Sequence, residues 1–90
     1  MKIFSKKHGY TFITDDCDAN LIIQRFAEEY CVRGEIINVY KQDKYYIITF
    51  VTIEKNKRIQ NLLKIIFRNW KYDLCFKDNI IGIYKKEEAK

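Results

Sequence analysis

The sequence predicts an α+β domain in two layers, an antiparallel sheet with two helices on one face. Two observations carry this. The runs Ile36–Tyr40 and Tyr45–Ile53 are rich in Ile, Val, Tyr, Phe and Thr and flank the polar stretch KQDK, the pattern of a β-hairpin. Two other stretches repeat apolar residues at spacings of three and four, as amphipathic helices do.

Taken in order, Met1–Thr14 reads as extended, interrupted at Lys7-His8-Gly9, with Tyr10–Thr14 the better strand. Asp15-Asp16-Cys17-Asp18 is a polar break with good N-cap residues, and its acids suit the positive end of a helix dipole. Ala19–Val32 reads as a helix whose apolar stripe is Ala19, Ile22, Ile23, Phe26, Ala27 and Tyr30, with Gly34 as its C-cap. In the hairpin, a loop at Gln42-Asp43 sets Tyr40 opposite Tyr45 and Val39 opposite Tyr46. One face then carries Ile37, Val39, Tyr46, Ile48 and Phe50, and is expected against the helices. The other carries Ile36, Asn38, Tyr40, Tyr45, Ile47, Thr49 and Val51 and is expected to be open. Glu54–Trp70 reads as the second helix, with Ile59, Leu62, Leu63, Ile66, Phe67 and Trp70 as its stripe and a buried Trp70 at its end. Tyr72–Phe76, a Lys77-Asp78-Asn79 turn and Ile80–Tyr84 make a final strand or hairpin, and Lys85–Lys90 is a frayed tail. Strand, helix, two strands, helix and one or two strands is the order of a ferredoxin-like βαββαβ sandwich, a fold that hosts many functions.

Ninety residues make one domain, spanning 1–90, and 48% apolar content supplies its core. Absent prolines and only three glycines argue against long linkers. There is no signal peptide and no apolar run long enough to span a bilayer, so a cytoplasmic protein without a membrane partner is expected. Abundant Lys, Ile, Asn and Tyr suggest an AT-rich coding source. Cys17, Cys31 and Cys75 lack the close pairing of a zinc site; reduced thiols are expected, with Cys31 and Cys75 as small core residues. His8 stands alone in an expected exposed turn, and the Asp15–Asp18 cluster lacks the Gly and downstream Glu of a calcium loop. No metal site, cofactor, phosphate loop or catalytic set is legible, so an enzyme is not expected.

Charge is distributed unevenly. Glu54–Lys71 holds Lys55, Lys57, Arg58, Lys64, Arg68 and Lys71 against one acid, in a chain of net charge +5. Lys57, Asn61, Lys64, Arg68 and Lys71 recur at helical spacing and line one face, the footprint of phosphate binding. The plainer reading is a solvated Lys-rich surface. The third-strand stretch Asp43–Phe50 partly resembles the signature of the RNA-recognition motif: Tyr45, Ile48 and Phe50 agree, while the basic, glycine, small and second aromatic positions do not. That resemblance implies base stacking at Tyr45 and Phe12.

The expectation from sequence is therefore a non-enzymatic module engaging RNA, DNA or a nucleoprotein complex. Lys55, Lys57, Arg58, Lys64, Arg68 and Lys71 would meet phosphates, and Tyr40, Tyr45 and Ile47 would anchor the sheet face. The first alternative is a phage or mobile-element inhibitor of a host enzyme or defence complex, in the style of anti-CRISPR proteins. The second is a homodimeric structural or regulatory protein whose open sheet faces meet.

Overall fold

Tyr10, Phe12 and Thr14 alternate with Thr11 and Ile13, so a strand through them buries one face completely and half-buries the other. In the computed structural model, which describes residues 6–68 and 71–86, this strand is β1 (His8–Thr14) and forms the middle of a five-stranded sheet. It is followed by helix α1 (Cys17–Arg25), a π-helical turn (Phe26–Tyr30), the hairpin β2 (Glu35–Gln42) and β3 (Tyr45–Thr52), helix α2 (Asn56–Ile66), and a second hairpin, β4 (Tyr72–Lys77) and β5 (Ile80–Lys85). The strand order is β2-β3-β1-β5-β4. Strand β1 is antiparallel to β3 but parallel to β5, so the sheet is mixed rather than purely antiparallel. The cause is topological: the chain leaving α2 runs first along the far edge as β4 and returns beside β1 as β5.

Both helices cover one face of this sheet. Ala19, Ile23, Phe26 and Ala27 on one side and Ile59, Leu63 and Phe67 on the other close over Tyr10, Phe12, Ile48, Phe50, Ile81 and Ile83 in one buried cluster. Phe12 is its centre, with ring centroids 4.9 Å from Phe50 and 6.1 Å from Phe26.

Helix α1 starts as its sequence predicts. Asp16 is the N-cap, and its carboxylate accepts the Ala19 N–H at 3.0 Å. The same carboxylate accepts the Tyr72 hydroxyl at 2.8 Å, tying the helix start to β4; burial, and then this bond, push the Tyr72 phenol up to about 12. Asp15 accepts the Lys85 N–H at 3.0 Å. Two of the three clustered acids thus serve as caps and ties.

Several expectations are corrected. The predicted helix to Val32 stops being α-helical at Arg25, and the wider π turn changes its repeat. The buried positions run Ile23, Ala27 and Cys31, four apart, so Tyr30 is left 56% exposed and Ile22 38%. The left-handed residue after the helix is Arg33 (φ 53°), not Gly34. Gly34 serves close approach instead: a Cβ there would stand 1.9 Å from the Ala27 carbonyl oxygen. Helix α2 is shorter than predicted; Phe67 caps it with φ −104° and ψ 30°, and Arg68 lies beyond it. The expected burial of Trp70 falls outside the described residues. His8 and Gly9 belong to β1 and pair with Thr52 and Val51, rather than forming a turn. Cys75 is exposed, because alternation in β4 gives the core side to Tyr72, Leu74 and Phe76.

The first hairpin turns one residue later than predicted, at Asp43-Lys44, so Gln42 faces Tyr45 and Tyr40 faces Ile47. Asp43 takes φ 56°, which Asp tolerates better than most residues. Moving the turn by one residue shifts the pairing by two, so faces are kept from Asn38 onward. Beyond that, a β-bulge between Ile36 and Asn38 exchanges two neighbours. Ile36 pairs with Phe50 and packs on the core, while Ile37 is 57% exposed. The bulge also disrupts the free edge of β2, where Val39 and Tyr40 stand exposed beside it, and hinders edge-to-edge pairing.

Cys31, correctly expected in the core, has its thiol pushed up to about 12, by burial first and then by the Glu54 carboxylate. A thiol reagent at pH 8 is therefore expected to modify Cys17 and Cys75, both exposed, and to reach Cys31 only after unfolding. Three equally fast thiols in the native protein would contradict this packing.

Candidate nucleic-acid interface

The sheet has one covered face and one open face, and the open face is aromatic. Alternation brings Tyr40 from β2, Tyr45, Ile47, Thr49 and Val51 from β3, Thr11 and Ile13 from β1, and Tyr84 from β5 to that side. Near the turn of the first hairpin they enclose a cleft of about 340 Å³ lined by Ile13, Gln42, Asp43, Tyr45, Ile47 and Tyr84. Ile13 faces Ile47 across the β1–β3 pairing and gives the apolar floor.

The two aromatic rings of the cleft are held differently. Tyr84 lies down across the sheet because position 82 is glycine: a Cβ there would stand 2.5–2.9 Å from atoms at the phenol end of the ring. Tyr45 stands against it edge-on, with centroids 6.3 Å apart and planes at 86°. Burial is the main cause that pushes the Tyr84 phenol up, with Cys75, Tyr45 and Asp15 adding to it, so it stays a neutral donor at physiological pH. Lys44 Nζ lies 5.5 Å from the centre of the Tyr45 ring.

Of the sheet-face anchors expected from sequence, Tyr45 and Ile47 line this cleft, and Tyr40 lies on the same face, exposed. Phe12, the other stacking position implied by the resemblance to the RNA-recognition motif, is fully buried on the opposite side. Tyr84, Gln42, Asp43 and Ile13 were not expected at a site. The signal that could have found Tyr84 is Gly82-x-Tyr84: two residues apart in a strand share a face, and the glycine leaves room for the ring.

The six basic candidates are exposed; Lys55, Lys57, Arg58 and Lys64 belong to the helix layer, across the sheet from the aromatic cleft. Lys57 and Lys64 lie on α2; Lys64 Nζ is 5.7 Å from the centre of the Phe76 ring. Lys55 is the N-cap of the helix. Arg58 pairs at 3.4 Å with Glu54, which is nearly buried and also accepts the Val32 N–H at 3.3 Å. Arg68 and Lys71 lie past the helix end, so the predicted stripe is not continued by helical geometry. The Lys71 carbonyl accepts the Lys86 N–H at 2.8 Å. A shallow cleft of about 380 Å³ with Lys55, Lys57, Arg58 and Asn61 on its rim sits over Leu62 and Ile65.

Among the described residues, no group of three His, Cys, Asp or Glu side chains is placed to hold a metal ion, and no helix is long and apolar enough to cross a membrane. Compared with family models, curated proteins and solved structures, the chain matches none.

Proposed function

We propose that this chain is a non-enzymatic cytoplasmic module that binds single-stranded nucleic acid, alone or within a nucleoprotein complex, on the open face of its sheet. The observation that carries the reading is the cleft in which a flat Tyr84 and an upright Tyr45 meet beside a lysine. Exposed aromatic rings on a sheet are stacking platforms for unpaired bases, and nearby cations neutralise the backbone. The fold suits this use. Set β5 aside, and the remaining order β2-β3-β1-β4 is the ferredoxin-like one, so we read the domain as that plan with one strand inserted beside β1. The lysines of α2 then act at longer range, adding affinity for a strand that leaves the sheet edge.

Stacking is worth about 1–3 kcal/mol per base, so Tyr84→Ala should weaken binding of a labelled single strand by about 5- to 150-fold, and Tyr45→Ala, which removes the wall beside it, should weaken it less. Lys64→Glu with Arg68→Glu should instead lower affinity mainly at low salt and flatten its salt dependence. Fluorescence anisotropy across a salt series distinguishes the two. No binding at about 50 mM salt, where even non-specific phosphate contacts register, rules the proposal out.

One observation favours the second reading, inhibition of a host enzyme or defence complex by protein contact. A groove of about 530 Å³ lined by Leu21, Ile22, Arg25, Tyr30 and Ile66 opens between the helices. Among the described residues its lining is apolar but for Arg25, and it would suit a protein surface better than a phosphate backbone.

A further inference from the structure

We infer that the cleft at the hairpin turn is a pocket for one nucleobase and that it selects guanine, an assignment that rests on the single-strand reading above. The size comes first. About 340 Å³ is at the small end of ligand pockets and accommodates a planar ring system of nucleobase size. The walls come next. Ile13 and Ile47 make an apolar floor, and the Tyr84 ring, laid flat over Gly82, offers a face for stacking. Tyr45, at 86° to Tyr84, closes the pocket as a wall rather than a second sandwiching plane. A base resting on Tyr84 therefore presents an edge, not a face, to the neighbouring groups.

The lining is also selective by charge. Among the described residues no lysine or arginine lines the cleft, and the one carboxylate there is Asp43. A carboxylate repels phosphate, so the group that enters is a neutral ring and the phosphates stay outside, on the side of Lys44. Asp43 accepts hydrogen bonds and donates none, whereas the Gln42 amide does both. The base edge that suits a carboxylate carries two adjacent N–H donors. Among the four common bases, guanine has that arrangement on its Watson–Crick edge, through N1–H and the exocyclic amine, and its O6 is left to accept from Gln42. Uracil offers one N–H between two carbonyls that would face the carboxylate. Adenine and cytosine each pair one amino donor with a ring-nitrogen acceptor.

The turn makes the inference testable without disturbing the fold. Asp43 sits at φ 56°, a conformation that asparagine also tolerates, so Asp43→Asn keeps the turn and exchanges one acceptor oxygen for a donor. The probes are fluorescein-labelled octamers of uridine carrying one central G, A or C, with the all-uridine strand as reference, and 5′-GMP as competitor. The expected result is about 5- to 150-fold tighter binding of the G-containing strand, the discrimination of a bidentate base contact, with GMP competing better than AMP. Asp43→Asn should remove that preference, bringing the G-containing strand level with the strands that carry A or C, and Tyr84→Ala should weaken all strands together. Equal affinity for every strand, lost with Tyr84→Ala, overturns guanine selection and leaves the stacking platform standing. A guanine preference that persists in Asp43→Asn overturns the assigned role of the carboxylate. Absence of binding to every strand overturns both the pocket and the proposed function.

Discussion

Replacing Phe12 with Ala is expected to cost about 3–5 kcal/mol of folding stability, the usual range for a buried aromatic ring. Phe12 has no exposed surface and stands in the central strand, where its ring meets Phe50 at 4.9 Å and Phe26 at 6.1 Å. It is thus the point where β1, β3 and the π turn touch. The cavity left by truncation would be walled by side chains from three elements that are each fixed by backbone pairing, so it cannot collapse easily. Against a typical total of about 5–15 kcal/mol, the loss brings a domain of this size close to unfolding. A urea titration measures it through the shift in midpoint at constant slope. A loss below about 1 kcal/mol would mean that this face of β1 does not point into the core.

The second large effect is expected at Gly34. An alanine Cβ would lie 1.9 Å from the Ala27 carbonyl oxygen and 3.1 Å from both the Ala27 carbonyl carbon and the Cys31 Cβ. The obstacle is backbone within the π turn, which cannot rotate aside as a flexible side chain can. Overpacking a core typically costs about 1–3 kcal/mol, and a clash with backbone belongs at or above the top of that range. Gly9→Ala is the natural control. Among the described residues nothing lies within 4 Å of a Cβ at position 9, and its φ is not positive, so alanine should be tolerated or give a gain of up to about 1 kcal/mol. Thermal unfolding of the two variants side by side tests the contrast. Equal behaviour would show that the chain between α1 and β2 does not approach the helix this closely.

The sequence made some features legible and concealed others for physical reasons. Ile59, Leu63 and Phe67 repeat at four with nothing to interrupt them, and their burial follows directly from that period. The face assignment of the first hairpin held from Asn38 to Val51 despite a misplaced turn, because strand faces depend only on parity, and failed at Ile36 and Ile37. The bulge was not legible: Ile36 and Ile37 are chemically identical, and which of them turns inward is decided by the pairing with Phe50. The π turn was hidden similarly, because Tyr30 and Cys31 both suit a core and only the wider repeat chooses between them. Tyr72–Phe76 and Ile80–Tyr84 are legible as a final strand or hairpin, but no local pattern says which run docks beside β1. The site suffered from the same limit. Tyr45 and Ile47 came from the strand pattern, whereas Tyr84 joins them only through long-range pairing of β5 with β1. The lysine stripe of α2 was drawn too long because Arg68 and Lys71 keep helical spacing after the helix has stopped.

The parallel pairing of β1 with β5 has a consequence for birth on the ribosome. Thr11 pairs with Thr49 on one side and with Ile80 on the other, so the two neighbours of the central strand are synthesised at very different times. The first hairpin can close locally and recruit β1 as soon as Thr52 is free of the exit tunnel, since both contacts are short in sequence compared with the second. From then until Lys85 emerges, the other edge of β1 has no strand beside it, and the apolar side chains that Ile81 and Ile83 will cover face water or a neighbouring nascent chain. The delay is about 33 residues, from Thr52 to Lys85, which is a few seconds of translation at about 5–20 residues per second. For that interval the nascent sheet is a half-built object with one sticky side, and its safety rests on the speed with which β4 and β5 zip together once they are released.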